Sequence, residues 1–160
     1  MRIFIDTEFT DFVDTELISI GLITEDGDHE FYGELPVNRR KCSEFVIKHV
    51  LPQLGAQPLA LYTAEELEAR LRGWLGQFRH LDDVTICYDF NGDWQLFQFA
   101  LDNKVPDWLV CQNVYQRIDQ EALARYFEEH GVQEHHALND AKANRHVFLA
   151  GARSKDETNA

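Results

Sequence analysis

The chain has 160 residues, 44% of them hydrophobic, which suits one domain built around a single sizeable core. Its 28 acidic and 15 basic residues leave a formal charge of −13, the opposite of the broad basic surface by which duplex-coating proteins neutralise phosphates, so nucleic-acid contact has to be local or carried by cations. Three widely spaced cysteines without a C-x-x-C pair argue against a disulfide framework or a zinc site, and no apolar run reaches membrane-spanning length.

The first residues, Arg2 to Asp6, are apolar and β-rich and predict a short strand rather than a charged leader, so a soluble cytoplasmic protein with no membrane partner is expected. A second strand is predicted from Glu16 to Ile23. The Asp26-Gly27 turn then leads into a third, alternating strand, H-E-F-Y-G-E-L, completing an antiparallel meander. After Pro36 the period becomes helical. In S-E-F-V-I-K-H-V-L-P-Q-L, Ser43 is placed to cap a helix with Phe45, Val46, His49 and Val50 on one stripe, and Pro52 limits its length.

Thr63 and Glu66 form a capping box before a helix whose Leu67, Leu71, Trp74, Leu75 and Phe78 recur at helical spacing. A buried strand is predicted from Val84, followed by a helix opening near Gly92 or Asp93. W-L-V-C-Q-N-V-Y-Q reads as a weaker strand, D-Q-E-A-L-A-R-Y-F-E-E-H-G as a helix capped by Asp119 and stopped by Gly131, and N-D-A-K-A-N-R-H-V-F-L-A-G-A as a closing helix. The expected fold is α/β: a mixed sheet with a three-stranded antiparallel meander followed by parallel strands, flanked by helices, in one domain over 1–153 with a disordered tail at 154–160.

Chemistry concentrates at three places. Asp6 and Glu8, one residue apart on a strand, project to the same side and form a ready site for a hard divalent cation; a lone D-x-E also describes ordinary loop acids, so it needs partners. C-Y-D-F-N-G-D supplies Asp89 and Asp93 where a strand runs into a helix, and Asp93 there has the alternative role of a simple cap. H-H-A-L-N-D places His135 on a loop five residues before Asp140, in the first turn of the last helix. A loop histidine suits a general base and the helical aspartate a fixed ligand.

Taken in order, these motifs resemble those of the DEDDh 3'-to-5' exonuclease family of the ribonuclease H-like superfamily. The resemblance covers Met1 to about Ala150 and is strongest toward small bacterial exoribonucleases, whose first two strands D-T-E-F-T-D-F-V-D-T-E-L-I-S-I-G-L-I-T-E-D-G looks like. Oligoribonuclease, ribonuclease T and the proofreading subunit of DNA polymerase are more distant in the same superfamily. The resemblance implies a ribonuclease H-like sheet and two Mg2+ or Mn2+ ions per site. Asp6 would bridge them, Glu8 and Asp140 would complete the first site, Asp93 would hold the second, and His135 would act as base.

Such a site clamps the attacking water and the departing 3'-oxygen between two cations about 3.5 to 4 Å apart, releasing nucleoside 5'-monophosphates. Asp89 competes with Asp93 as the second-motif ligand, because the family's Asn lies three or four residues before that Asp and Asn91 lies only two before Asp93. His136 competes with His135 as base.

The implied partner is single-stranded RNA or DNA with a free 3' end, and a homodimer is the assembly the resemblance raises. Phe9 and Phe12 are placed to stack the terminal base, with Trp94 as a further candidate, and Arg39 and Arg40 are placed to meet phosphates. Lys142 and Arg145 share the last helix with Asp140 and are candidates to approach the scissile region. The competing reading is a non-catalytic ribonuclease H-like module that binds nucleic acid or assembles with a partner.

Overall fold

The structure, a computed structural model, describes residues 1–158, with side chains through residue 152. The tail expected to be disordered, 154–160, lies outside the residues described with their side chains. Five strands, β1 (Arg2–Phe9), β2 (Leu17–Thr24), β3 (Glu30–Glu34), β4 (Val84–Tyr88) and β5 (Leu109–Asn113), form one sheet in the order β3-β2-β1-β4-β5. The meander β1-β2-β3 is antiparallel, and β4 and β5 add in parallel. This mixed sheet, flanked by helices, is consistent with a ribonuclease H-like fold.

Strand β1 runs three residues beyond the predicted end, so Asp6 and Glu8 both sit in regular strand, with an irregularity only between Glu8 and Phe9. Low β-propensity of Asp and Glu is outweighed because the ladder to β2 continues to Phe9.

Five helices cover the sheet: α1 (Glu44–His49), α2 (Ala64–Gly76), α3 (Asn91–Ala100), α4 (Gln120–His130) and α5 (Ala137–Thr158). The caps read from sequence are formed. The Ser43 hydroxyl accepts from the Val46 N–H, Thr63 and Glu66 close a reciprocal capping box, Asp119 accepts from the Ala122 N–H, and Gly131 ends α4 at φ 61. The predicted stripe of α1 splits: Val46 and Val50 pack on Ile18, whereas Phe45 and His49 stay exposed, because the helix is short and only one side meets the sheet.

Side-chain alternation divides the core in two. Ile3, Ile5, Ile20, Leu22 and Ile86 face Leu67, Leu71, Leu75, Leu96 and Phe97 of α2 and α3. Phe4, Ile23 and Cys87 face Ala141, Val147 and Phe148 of α5. Gly21 lets α5 settle on that second face, since a Cβ there would lie 2.3 Å from the Leu138 backbone nitrogen and 2.5 Å from the Ala137 carbonyl carbon. Gly21 is also the partner of Asp6 in the ladder, so this close approach of α5 to the sheet occurs beside the first acid.

Candidate active site

Registry places the acids before any side-chain interaction acts. Asp6 pairs with Gly21 and Gly21 with Tyr32; Glu8 pairs with Ser19 and Ser19 with Glu34. These are alternate rows across the sheet, with the Thr7–Ile20–Gly33 row between them. Because residues two apart share a face, Asp6 and Glu8 project with Phe4 toward α5, as the D-x-E spacing predicts.

The remaining groups arrive from three other elements. Asp89 follows the end of β4, Asp93 lies in the first turn of α3, and Asp140 in the first turn of α5. Asp6, Asp89 and Asp93 bring ligand atoms within 4.8 Å of one another, as do Glu8, His135 and Asp140. Asp6, Asp89, His135, Asp140 and Asn144, with Glu134, Leu123 and Phe127, line a cavity of about 150 Å3. The structure therefore brings together every acid of the expected set and adds Asp89 beside Asp93.

Burial is the main influence on these carboxyls, with like charges adding to it. Glu8 is pushed up to about 8 by desolvation, reinforced by Asp140 and Asp93. Asp93 rises to about 7, its burial opposed chiefly by the Thr7 hydrogen bond, and Asp140 to about 7, its burial opposed by the His135 N–H. Asp6 lies well above its ordinary value through burial and then Asp93, Asp140, Glu8 and Asp89. Among the described residues no ion pair engages any of the five acids.

The donor set fits hard divalent ions such as Mg2+ or Mn2+, which take carboxylate oxygens and relieve repulsion among neighbouring acids. Oδ2 of Asp93 and Oδ1 of Asp140 are buried with no hydrogen-bond partner, leaving one oxygen of each free for a cation. Desolvated oxygens of this kind are costly unless something pairs with them.

His135 sits on the turn before α5 with φ +64, a left-handed conformation uncommon outside glycine. Its N–H donates to Oδ2 of Asp140 at 3.0 Å, and the Gln53 amide donates to the carbonyls of Glu134 and His135 at 2.7 and 2.9 Å. Burial lowers the His135 pKa. The adjacent His136 stacks on Tyr32 at 4.5 Å, turned away from the acid cavity. Gln53 carries no motif; only its place after α1 makes it a clamp.

Phe9 and Phe12 meet edge to face at 5.1 Å and line a cavity of about 610 Å3 together with Phe90, Phe99, Gln95 and Leu96. Phe90 lies nearly parallel to Phe9 at 6.0 Å and is 46% exposed. It escaped the sequence reading, although its place between Asp89 and the helix start was a usable signal. Trp94 is instead stacked between Tyr88 and Phe97, packed against the core. Arg39 and Arg40 are exposed on a 3-10 turn (Arg39–Lys41), whose Lys41 pairs with Asp14 and Glu16 at the rim of the aromatic cavity. Lys142 pairs with Glu30, and Arg145 donates to the Glu25 carbonyl, so both hold the β2-β3 end.

No protein-family model matches the chain. Two curated relatives from Mycobacterium tuberculosis, one from strain CDC 1551/Oshkosh and one from strain ATCC 25618/H37Rv, are each 32% identical to it over 103 residues. Both are named 3'-5' exoribonucleases. The match covers 54% of this chain and 60% of each relative. These names support a nuclease function in general, and the acid groups are able to hold a metal ion. Among the described residues no helix is long and apolar enough to cross a membrane.

Proposed function

We propose that the protein is a metal-dependent 3'-to-5' exoribonuclease that shortens single-stranded RNA from a free 3' end to nucleoside 5'-monophosphates, with single-stranded DNA as a second substrate to be tested. The observation that carries this reading is the gathering of ligand atoms within 4.8 Å of one another in two groups, Glu8 with His135 and Asp140 and Asp6 with Asp89 and Asp93, where Asp93 and Asp140 each keep a buried carboxylate oxygen without a partner. Folding stability alone gives no reason to gather unpaired acids in this way. The names of the two relatives point to the same reaction.

In this reading Asp6, Glu8, Asp93 and Asp140 hold two Mg2+ or Mn2+ ions. When bound, such ions supply Lewis-acid activation of water and neutralise charge on the leaving 3'-oxygen. Asp6, central in the sheet, feels the charges of Asp93, Asp140, Glu8 and Asp89 and would contribute its carboxylate to both ion sites. A ring nitrogen of His135 takes the proton of the attacking water. Its lowered pKa keeps the imidazole unprotonated near neutral pH, and Glu134, 3.9 Å from Nε2, favours the imidazolium that forms.

The terminal base stacks on Phe9, Phe12 and Phe90. Residues 1–153 act as one catalytic domain in the cytoplasm, and a homodimer is the expected assembly.

Matched 5'-labelled RNA and DNA oligonucleotides, digested with Mg2+ and separately with Mn2+, test the reading. Stepwise shortening from the 3' end is expected, abolished by Asp6→Ala. Intact oligonucleotides under all four conditions would overturn it in favour of a module that binds without turnover.

A further inference from the structure

We infer that Asp89 is a third carboxylate ligand of the cation held by Asp6 and Asp93, oriented by Asn144; this rests on the metal-dependent reading above. Strands β1 and β4 are parallel, their ladder ending with Phe4 opposite Cys87; two residues further on come Asp6 in β1 and Asp89 just past the end of β4. Asp89, the first residue past β4, thus comes beside Asp6, which lies within β1, on the side where Asn144 of α5 reaches it. Asp93 reaches the same point from α3, and the three bring ligand atoms within 4.8 Å of one another.

Among the described residues no ion pair supplies counter-charge to this trio. Thr7 occupies Oδ1 of Asp93, while its Oδ2 is buried without a partner on a residue only 2% exposed. Asn144, one turn beyond Asp140 on α5 and 4% exposed, donates its amide to Oδ1 of Asp89 at 3.0 Å. That bond, together with backbone N–H groups of Asp89 and Phe90, fixes the Asp89 carboxylate. An amide donating to a ligating carboxylate is the kind of outer support that orients metal ligands. Three carboxylates in place of two raise the charge presented to a divalent ion, which increases its affinity for oxygen donors. Asp89 and Asp93 are not rivals for one role; the strand end and the helix start deliver them to the same ion.

Calorimetric titration of metal-stripped protein with Mn2+ tests this, alongside melting temperatures with and without Mn2+. The wild type is expected to take up two ions. Asp89→Asn should weaken one of them by roughly tenfold or more, and Glu8→Gln should weaken the other. The metal-free Asp89→Asn protein should melt no lower than the wild type, since a repelling charge is gone, yet gain less on adding Mn2+. If Asp89→Asn does not fold, Asn144→Ala should weaken the same ion by a smaller factor.

Wild-type uptake of two ions, with unchanged affinities and an unchanged Mn2+-induced rise in the foldable variant, would overturn the role of Asp89 and leave the nuclease reading standing. A wild type that binds no Mn2+ and cleaves nothing would overturn both.

Discussion

Thr7 donates its backbone N–H and its hydroxyl to Oδ1 of Asp93, at 3.2 and 2.7 Å. The residue between Asp6 and Glu8 points to the opposite face of the sheet, and from there it fixes the acid delivered by α3. One strand thus supplies two acids on one side and the support for a third on the other.

Replacing Thr7 by Val keeps the shape and removes the hydroxyl donor. Supporting bonds of this kind are worth about 10- to 100-fold in metal affinity. Mn2+ titration of Thr7→Val should show a loss of that order at the Asp93 ion, with the folded state retained.

Metal-free stability should fall as pH rises. Glu8 at about 8 and Asp93 and Asp140 at about 7 hold protons in the folded state that an unfolded chain, with carboxyls near 4, has already released. The folded state therefore binds more protons across that window. Stability from these groups is complete below about pH 4 and is lost as pH climbs through about 7 to 8. Melting temperatures of metal-stripped protein from pH 5 to 9 should decline, and saturating Mn2+ should largely cancel the decline.

His135→Ala separates a base from a ligand. General-base loss costs about 10²- to 10⁴-fold in rate, and Mn2+ uptake should be nearly unchanged. Loss of an ion together with the rate would assign His135 to the metal instead, as its grouping with Glu8 and Asp140 allows.

Gly21→Ala should be severely destabilising, by roughly 3 kcal/mol or more, because the new methyl meets backbone of α5 that cannot rotate away. The same shift displaces Asp140. Chemical denaturation will show the first effect, and weakened Mn2+ binding of the surviving folded protein the second.

Phe12 is 79% exposed and Phe90 46%, so truncating either should leave stability nearly intact. If they stack the terminal base, Phe12→Ala and Phe90→Ala should each weaken single-strand binding by about 1–3 kcal/mol, read as a higher KM with kcat much less affected. Arg39→Ala tests the exposed turn in the same assay: if Arg39 meets a backbone phosphate, the variant should bind single strands more weakly and with a shallower salt dependence.

Much of the fold was legible because its signals are local. Alternation marks the strands, helical period marks α2 and α4, and Ser43, Thr63 and Asp119 announce helix starts through hydrogen bonds to residues three positions away. Strand length at β1 was not, since the ladder that extends it past Asp6 comes from another segment. Nor was the split of α1 into buried Val46 and exposed Phe45, which depends on what the helix lies against.

The sequence by itself determined that Asp6 and Glu8 share a face, that Asp140 opens the last helix and that His135 precedes it on a loop, because these follow from strand and helix periods alone. Only the tertiary structure decided that Asp89 joins Asp93 beside Asp6, that His135 and not His136 faces the acids, and that Phe90 completes the aromatic cavity while Trp94 packs inward. The physical reason is registry between distant segments: the parallel pairing of β1 with β4 and the seating of α5 on Gly21 set which side chains meet, and no local period encodes either.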